Sequence, residues 1–494
     1  MKPLYLFLIL VSLMANCSSS SESTRGYQQS KENAFLNGDF QSSLDSYRND
    51  VSESSSRDRL LHLLEAGIVA HTMGDYNKSN VIFKEAEEIV DSQKTSVTAS
   101  TASFVLNDSW NNFEAESFEI VILKFYIALN YALLNDLENA KRAFKKVNFE
   151  LTSMKGTDAK YKQIVIARYM DAIISEEQGK YNDSRVEWKN IEQILGKSDT
   201  VLAERYMLAV KEKNAGDQAK YSAGKQLLAS YDKNLQSIPF NKKMGEIVVI
   251  NQAGMAAARE SKGKIGDEPV FREILSQMIQ LELNKQNIGD MNLTPSAVLY
   301  AIGQAENPIP EFQMKELNPL SQEIFINGTS VGKMESITDY SEIAMKNFNE
   351  NYEAKVKKNA ASIATKAVVA MIAAEVAKKA AQSTFDRAKN ECDRLGAIGG
   401  SICKLAAQAA YDSAFGFAAG KIAGAIVKPD TRSWRLLPSN FQVKRVFLEA
   451  GDYDFSFKVF GTDNSESRTE NFKVKVDPGK PIFINLRTVK NGVE

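Results

Sequence analysis

The chain reads as an α+β protein built from an N-terminal α-solenoid of helical hairpins, an Ala-rich helical hairpin and a small C-terminal antiparallel β-sandwich or sheet. Three observations predict it. A helix-turn-helix phrase recurs before residue 240, Ala-rich apolar runs follow residue 346, and a strict two-residue alternation begins near Val443.

An apolar leader precedes these parts. Met1 and Lys2 supply a positive start, and Leu4 to Leu13 form an apolar run of signal-peptide length. It is too short to span a bilayer, which takes roughly 20 apolar residues. The run ends in Met14-Ala15-Asn16-Cys17 followed by Ser18-Ser19-Ser20-Ser21, the layout of a lipobox. A small residue before the cysteine fits the peptidase, and the thiol accepts diacylglycerol. Met14 at the usual Leu position and Asn16 in place of Gly or Ala make it similar to the relaxed lipoboxes of some diderm bacteria. Residues 1–16 are therefore expected to leave as a signal peptide, Cys17 to carry the lipid that reaches the membrane, and residues 17–30 to form a Ser-rich tether. Several acyl chains, at about 0.8 kcal/mol per buried methylene, hold such an anchor stably.

Residues 31–240 carry the recurring phrase: a turn residue, an aromatic or Leu two on, a small residue three further, and an aromatic four beyond. The copies are Gly38, Phe40, Ser43 and Tyr47; Gly74, Tyr76, Ser79 and Phe83; Asn135, Leu137, Ala140 and Phe144; and Gly179, Tyr181, Ser184 and Trp188. Small residues also sit seven positions before three of the turns, at Gly67, Ala128 and Ala172, where the two helices of a hairpin would cross closely. The phrase resembles the tetratricopeptide repeat. Its turns lie 36, 61 and 44 positions apart, against a regular period of ~34, so the array is degenerate, with an insertion around Thr95 to Asn112. Stacked helical pairs present a concave surface suited to extended peptides or partner proteins.

Residues 241–345 read as a mixed α/β segment. Gly245 to Ile250 and Glu323 to Gly328 are β-branched or alternating runs, with Pro308, Pro310 and Pro319 breaking up the interval. Asp339 and Glu342 form a capping box that opens a helix. Residues 346–428 form the Ala/Gly-rich hairpin, with helices from about Ala354 to Arg394 and Ser401 to Val427. Gly416, Gly420 and Gly424 would share one helix face, open to close backbone approach from this chain, a partner or the membrane. Lys404, Asp412 and Lys421 interrupt the apolar run, so neither helix resembles a membrane span. In 429–494, Tyr453, Phe455, Phe457 and Val459 alternate with polar residues, as do Phe472, Val474 and Val476, and Asp477-Pro478-Gly479 turns into Ile482-Phe483-Ile484. These are expected to be antiparallel strands with one wet face.

A net charge of -1 with 25% charged residues offers no global field for nucleic acid. With Cys17 assigned to lipid, Cys392 and Cys403 remain: a pair able to close a disulfide across a Gly-rich reversal in an oxidising compartment, or two buried thiols too far apart to join. The two histidines, His62 and His71, lie on repeat helices and read as packing or surface residues. The chain contains no H-E-x-x-H, P-loop or G-x-S-x-G motif. Ser401-Ile402-Cys403-Lys404 matches S-x-x-K but lacks a K-T-G partner. The adjacent pairs Glu87-Glu88 and Glu176-Glu177 are expected to point apart on a helix. No catalytic residue, metal site or cofactor is expected, and the chain is not expected to be an enzyme.

Pro429-Asp430-Thr431-Arg432-Ser433-Trp434-Arg435-Leu436-Leu437-Pro438, then Leu448 to Tyr453, together with the Gly245 to Val249 strand and the Ala-rich helices, resembles a family of bacterial envelope lipoproteins with a D-x-R-x-W-x-x-L-P motif. The resemblance covers most of the chain beyond the leader. It implies an envelope protein sometimes considered beside activators of peptidoglycan synthases; the lipid anchor is expected in the outer membrane, on the periplasmic face, with exposure at the cell surface as the alternative. The resemblance implies no functional residues. From the residues themselves, Asp430, Arg432 and Trp434 form either a small polar site, with the guanidinium on the indole, or a lock at a domain junction. The expected function is a membrane-anchored scaffold whose repeats hold an envelope protein in wall or outer-membrane assembly. The alternative is a cryptic periplasmic enzyme or carbohydrate-binding protein that uses the β module. The sequence leaves the oligomeric state open.

Overall fold

The computed structural model describes residues 30–489 except 54–56, 98–111, 154–163, 230–243, 287–292, 304, 316–320, 351, 393, 395–400, 402, 406–407, 409–428 and 462–465. The leader, Cys17, most of the second Ala-rich helix and Gly416, Gly420 and Gly424 lie outside the described residues.

The turn residues of the recurring phrase do what their chemistry suits them to do. Gly38, Gly74 and Gly179 take φ of 80°, 79° and 69°, and Asn135 takes 58°, the left-handed conformation that ends a helix. They separate residues 30–36 (α1) from Phe40–Glu53 (α2), Arg59–Thr72 (α3) from Tyr76–Val97 (α4), Ser117–Leu133 (α5) from Leu137–Ser153 (α6), and Val165–Glu177 (α7) from Tyr181–Leu195 (α8). A fifth turn of the same kind, at Lys213 (φ 56°), joins Asp199–Lys211 (α9) to the short helix Ala215–Lys220 (α10), and Ser222–Ala229 (α11) follows. The serines of the phrase knit two of the pairs together. Ser43 Oγ donates to the Lys31 carbonyl (3.2 Å) and Ser79 Oγ to the Gly67 carbonyl (2.8 Å), each reaching back twelve positions. At Gly67 a Cβ would lie 2.3 Å from the Phe83 ring, so only glycine lets α4 cross here.

Two four-stranded sheets follow. Met244–Ala253 (β1), Glu335–Asp339 (β6), Asn440–Glu449 (β7) and Pro481–Thr488 (β10) form the first, in the order β10-β1-β7-β6. Ser321–Ile326 (β4), Thr329–Lys333 (β5), Gly451–Phe460 (β8) and Glu466–Val476 (β9) form the second, in the order β5-β4-β8-β9. The expectation of purely antiparallel strands is corrected here. β10 leaves β9 for the other sheet and pairs parallel with β1, so the first sheet is mixed and the second antiparallel. The reason is connectivity: β1 comes from far upstream, so its direction beside β10 is not dictated by a hairpin. The short pair Ala258–Glu260 (β2) and Glu311–Gln313 (β3) stands apart. Asn327-Gly328, with φ of 50° and 78°, makes the tight turn between β4 and β5.

The layers stack as helices, mixed sheet and antiparallel sheet. Ile247 and Val249 of β1, with Val446 and Leu448 of β7, face Phe455, Phe457, Val474 and Val476 of the second sheet. Val248, Ile250, Phe441 and Val443 face the other way and join the helical core. Helices α3, α5 and α7 are consequently enclosed on both sides, with their partner helices behind and the sheet and segment 434–437 in front. Twelve of the thirteen residues of α7 are buried.

A separate core forms where Pro269–Lys285 (α12) and Pro295–Ile302 (α13) meet Tyr340–Glu350 (α14) and the long helix Tyr352–Cys392 (α15). By length and composition Tyr352–Val376 is apolar enough to cross a membrane. Its own Val356, Ala360, Ile363, Ala364, Ala367 and Val368 are instead packed in this core. The tip of α15 is joined to the following chain by a disulfide between Cys392 and Cys403, with Cα atoms 5.6 Å apart, and Lys389 Nζ donates to Gln408 Oε1.

Candidate functional site

Charge appears in two strands where apolar residues would be expected. Glu246 stands in β1 just ahead of the apolar run from Ile247 to Ile250 and Arg445 in β7, both on the face turned toward the helices, and both are buried. Burying a charge costs several kcal/mol unless it is paired and hydrogen-bonded. Arg445 meets that condition fully. Its Nε and Nη2 donate to the two oxygens of Glu246 (2.9 and 2.8 Å), Nη1 to Glu204 of α9 (2.8 Å) and Nη2 to Glu176 of α7 (3.1 Å). Lys211, at the end of α9, donates to Glu176 (2.9 Å) and lies 3.7 Å from both Glu177 and Glu246. Trp188 Nε1 and Ser184 Oγ complete the shell of Glu176, each at 3.1 Å, which gives two residues of the repeat phrase a polar task as well as a packing one.

The carboxyls of this network are sorted by their neighbours. Burial raises Glu176, but Lys211 and Arg445 outweigh it and hold the group down to about 2. Burial and the adjacent Glu246 charge push Glu177 above the usual carboxylate range, while Arg445 and Lys211 hold Glu246 below it despite its burial. The expectation that Glu176 and Glu177 point apart is corrected: the long Lys211 side chain from α9 comes within reach of both.

Beside this network opens a cavity of about 380 Å³. Tyr169, Asp199, Thr200 and Glu204 line it from the helices, Lys333, Met334 and Glu335 from the β5-β6 crossing, and Lys444, Arg445 and Phe447 from β7. Its polar groups are partly committed. Thr200 donates to Glu335 Oε2 through both N (2.9 Å) and Oγ1 (2.5 Å), and Tyr169 donates to Glu204 (3.2 Å). Burial lowers the Lys444 amine despite the Glu335, Asp199 and Glu204 charges around it.

A second polar network surrounds His71. Gln252 Nε2 (2.6 Å) and Asn485 Nδ2 (3.0 Å) both donate to His71 Nε2, so the ring proton is on Nδ1 and goes to Asn130 Oδ1 (2.6 Å). Burial holds His71 down to about 4, so the ring is neutral. Tyr126 donates to Gln252, and Asn130 donates to Ser79 and Asn80. His62 lies 3.5 Å from Asp50 and is likewise lowered to about 4 by burial.

The other residues singled out in the sequence fall into place around these networks. Asp430, Arg432 and Trp434 lie in an irregular stretch threaded between helices and sheet. Arg432 pairs with Asp430 and with Asp58 and lies over Phe113 at 5.9 Å, while the buried Trp434 ring packs against Phe83 and Tyr126. Next to them, the backbone N–H groups of Arg435 and Leu436 donate to the two oxygens of Glu65 on α3. Phe40, Tyr76, Leu137 and Tyr181 open their helices, and Phe83, Phe144 and Trp188 are fully buried. Among the described residues, no three His, Cys, Asp or Glu side chains are arranged to hold a metal ion. The Arg445 network was missed because its members are scattered between residues 169 and 447; the one signal in the sequence is a lone charge on the core face of each strand. Comparison of the chain with protein-family models, curated proteins and solved structures gave no match.

Proposed function

We propose that this chain is a membrane-anchored envelope lipoprotein, held through Cys17 at the periplasmic face of the outer membrane, that acts as a protein–protein interaction scaffold on a degenerate tetratricopeptide-like array. The left-handed turns at Gly38, Gly74, Asn135 and Gly179 and the serine-to-carbonyl bonds support the repeat reading. Helices α3, α5 and α7 of the array pack against the chain's own sheet and the 434–437 segment. A partner therefore docks elsewhere. The observation that carries the reading is the charged cavity at the seam, a recess lined by Lys333, Glu335, Lys444 and Arg445 from helices and strands meeting there.

The test has two arms. Detergent phase partition compares the wild type with Cys17→Ala, which should move to the aqueous phase; full retention in the detergent phase would count against the anchor. Crosslinking in cells through the anchored protein should recover one defined envelope partner, and repeated recovery of none would sink the scaffold.

A further inference from the structure

Residues 429–438 form neither helix nor strand, yet the middle of this strap is sealed in: Trp434, Leu436 and Leu437 are buried. Its backbone is held by two carboxyls that have no cation of their own. Glu65 of α3 accepts the Arg435 and Leu436 N–H groups at 2.7 and 3.1 Å. Glu119 of α5 accepts the Glu116 N–H at 2.8 Å and has the Trp434 N–H turned toward it. Both side chains are buried. The cations nearby are engaged elsewhere, Arg435 with Glu32 and Glu260, and Arg259 with Glu116. A buried carboxyl without a cation is costly to charge, and a second one beside it adds to the cost. Burial pushes Glu65 up to about 8 and Glu119 up to about 7, against the N–H groups and the Arg435 and Arg259 charges that pull them down.

We propose that Glu65 and Glu119 form a proton-operated clasp, which grips the strap tightly in acid and loosens it as the pH rises. The clasp does not rest on the scaffold reading. When the strap lifts, both carboxyls reach water and return to their ordinary value of 4.5. Lifting therefore releases protons between that pH and the raised values. The grip is complete below pH 4.5 and is lost as the pH climbs through about 7 and 8, by up to about tenfold in the closed-to-open ratio per pH unit for each carboxyl. The other groups facing the pair are Lys31 of α1 and Tyr47 of α2 around Glu65, and Glu116 and Tyr340 of α14 around Glu119. Lys31, lowered by burial to about 8, and the two raised tyrosines stay protonated below pH 7 and do not mask the effect. What the clasp governs is a junction. Arg435 ties Glu32 of α1 to Glu260 of β2, and Arg432 ties the strap to Asp58 ahead of α3.

Hydrogen–deuterium exchange of the full chain at pH 5, 6 and 7, corrected for the intrinsic pH dependence of amide exchange, reads the grip directly. Protection of the 432–437 amides should fall at least about tenfold from pH 5 to pH 7 relative to that of β7. Glu65→Gln and Glu119→Gln each remove one titrating group, so each should make the decline shallower and the double variant should abolish it; circular dichroism confirms that they fold. Strap protection that keeps step with β7 at every pH, or a decline that survives in the double variant, overturns the clasp. If the double variant does not fold, the wild-type profile alone decides. Neither result bears on whether crosslinking recovers a partner.

Discussion

Arg445 is the residue on which the helix–sheet seam depends most. It is opposed by three buried carboxylates, and removing it leaves Glu204 without a cation and Glu176 and Glu246 to share Lys211 alone. Arg445→Met should therefore destabilise the protein by about 3–5 kcal/mol, as for other broken buried pairs, read as a shift in the urea midpoint; a loss under about 1 kcal/mol would show that the network is not a structural lock. His71 makes a pH-dependent contribution whose sign follows from its lowered pKa. The unfolded chain takes up a proton near 6.5 and the folded chain only near 4, so this stability is fully present above pH 6.5 and is lost as the pH falls toward 4. The gap corresponds to on the order of 3 kcal/mol. The difference in unfolding free energy between wild type and His71→Gln should shrink by about that much between pH 7 and pH 4; a pH-independent difference would refute the neutral buried ring. The buried Glu65, pushed up by burial to about 8, acts in the opposite sense and loses stability as pH rises, which is why the comparison must be made between variants.

At the scale of the element, the hairpins were legible in outline because their turns and crossings need particular residues. A left-handed turn favours Gly or Asn, and a close crossing requires a residue without a side chain. Gly67→Ala should thus cost about 1–3 kcal/mol by overpacking against Phe83, measured by thermal unfolding. The equivalent small positions, Ala128 and Ala172, already carry a Cβ and are fully buried, so Ala128→Gly should destabilise by its helix propensity, about 1 kcal/mol, plus the lost methyl burial, about 0.8 kcal/mol. The turn at Lys213 escaped notice because lysine rarely takes φ of 56°; the backbone N–H groups of Lys213 and Asn214, donating to the Val210 and Ala209 carbonyls of α9, hold it there. Strand β1 was readable as a strand from its β-branched run, but its placement was not. Nothing local says that residues 244–253 pair with residues 440–449 on one side and 481–488 on the other.

At the scale of the molecule, the helical array and the β layers depend on one another. Helices α3, α5 and α7 turn apolar faces to β1, β7 and the 434–437 segment. Each large side chain so buried contributes about 1.5–3 kcal/mol. A fragment of residues 30–229 should therefore be aggregation-prone and bind a hydrophobic dye, seen by size exclusion and fluorescence; a monomeric, cooperatively folded fragment would show the repeats to be self-sufficient. What the sequence determined by itself was written in short-range code: helix ends from turn residues and small-residue spacing, and sheet strands from alternation. Only the tertiary structure decided that helices α3, α5 and α7 pack on the chain's own sheet, that Glu176, Glu204, Glu246, Lys211 and Arg445 meet, and that β10 pairs parallel with β1. Those outcomes depend on which distant surfaces exclude water from one another, and a residue's own neighbours in sequence carry no record of that.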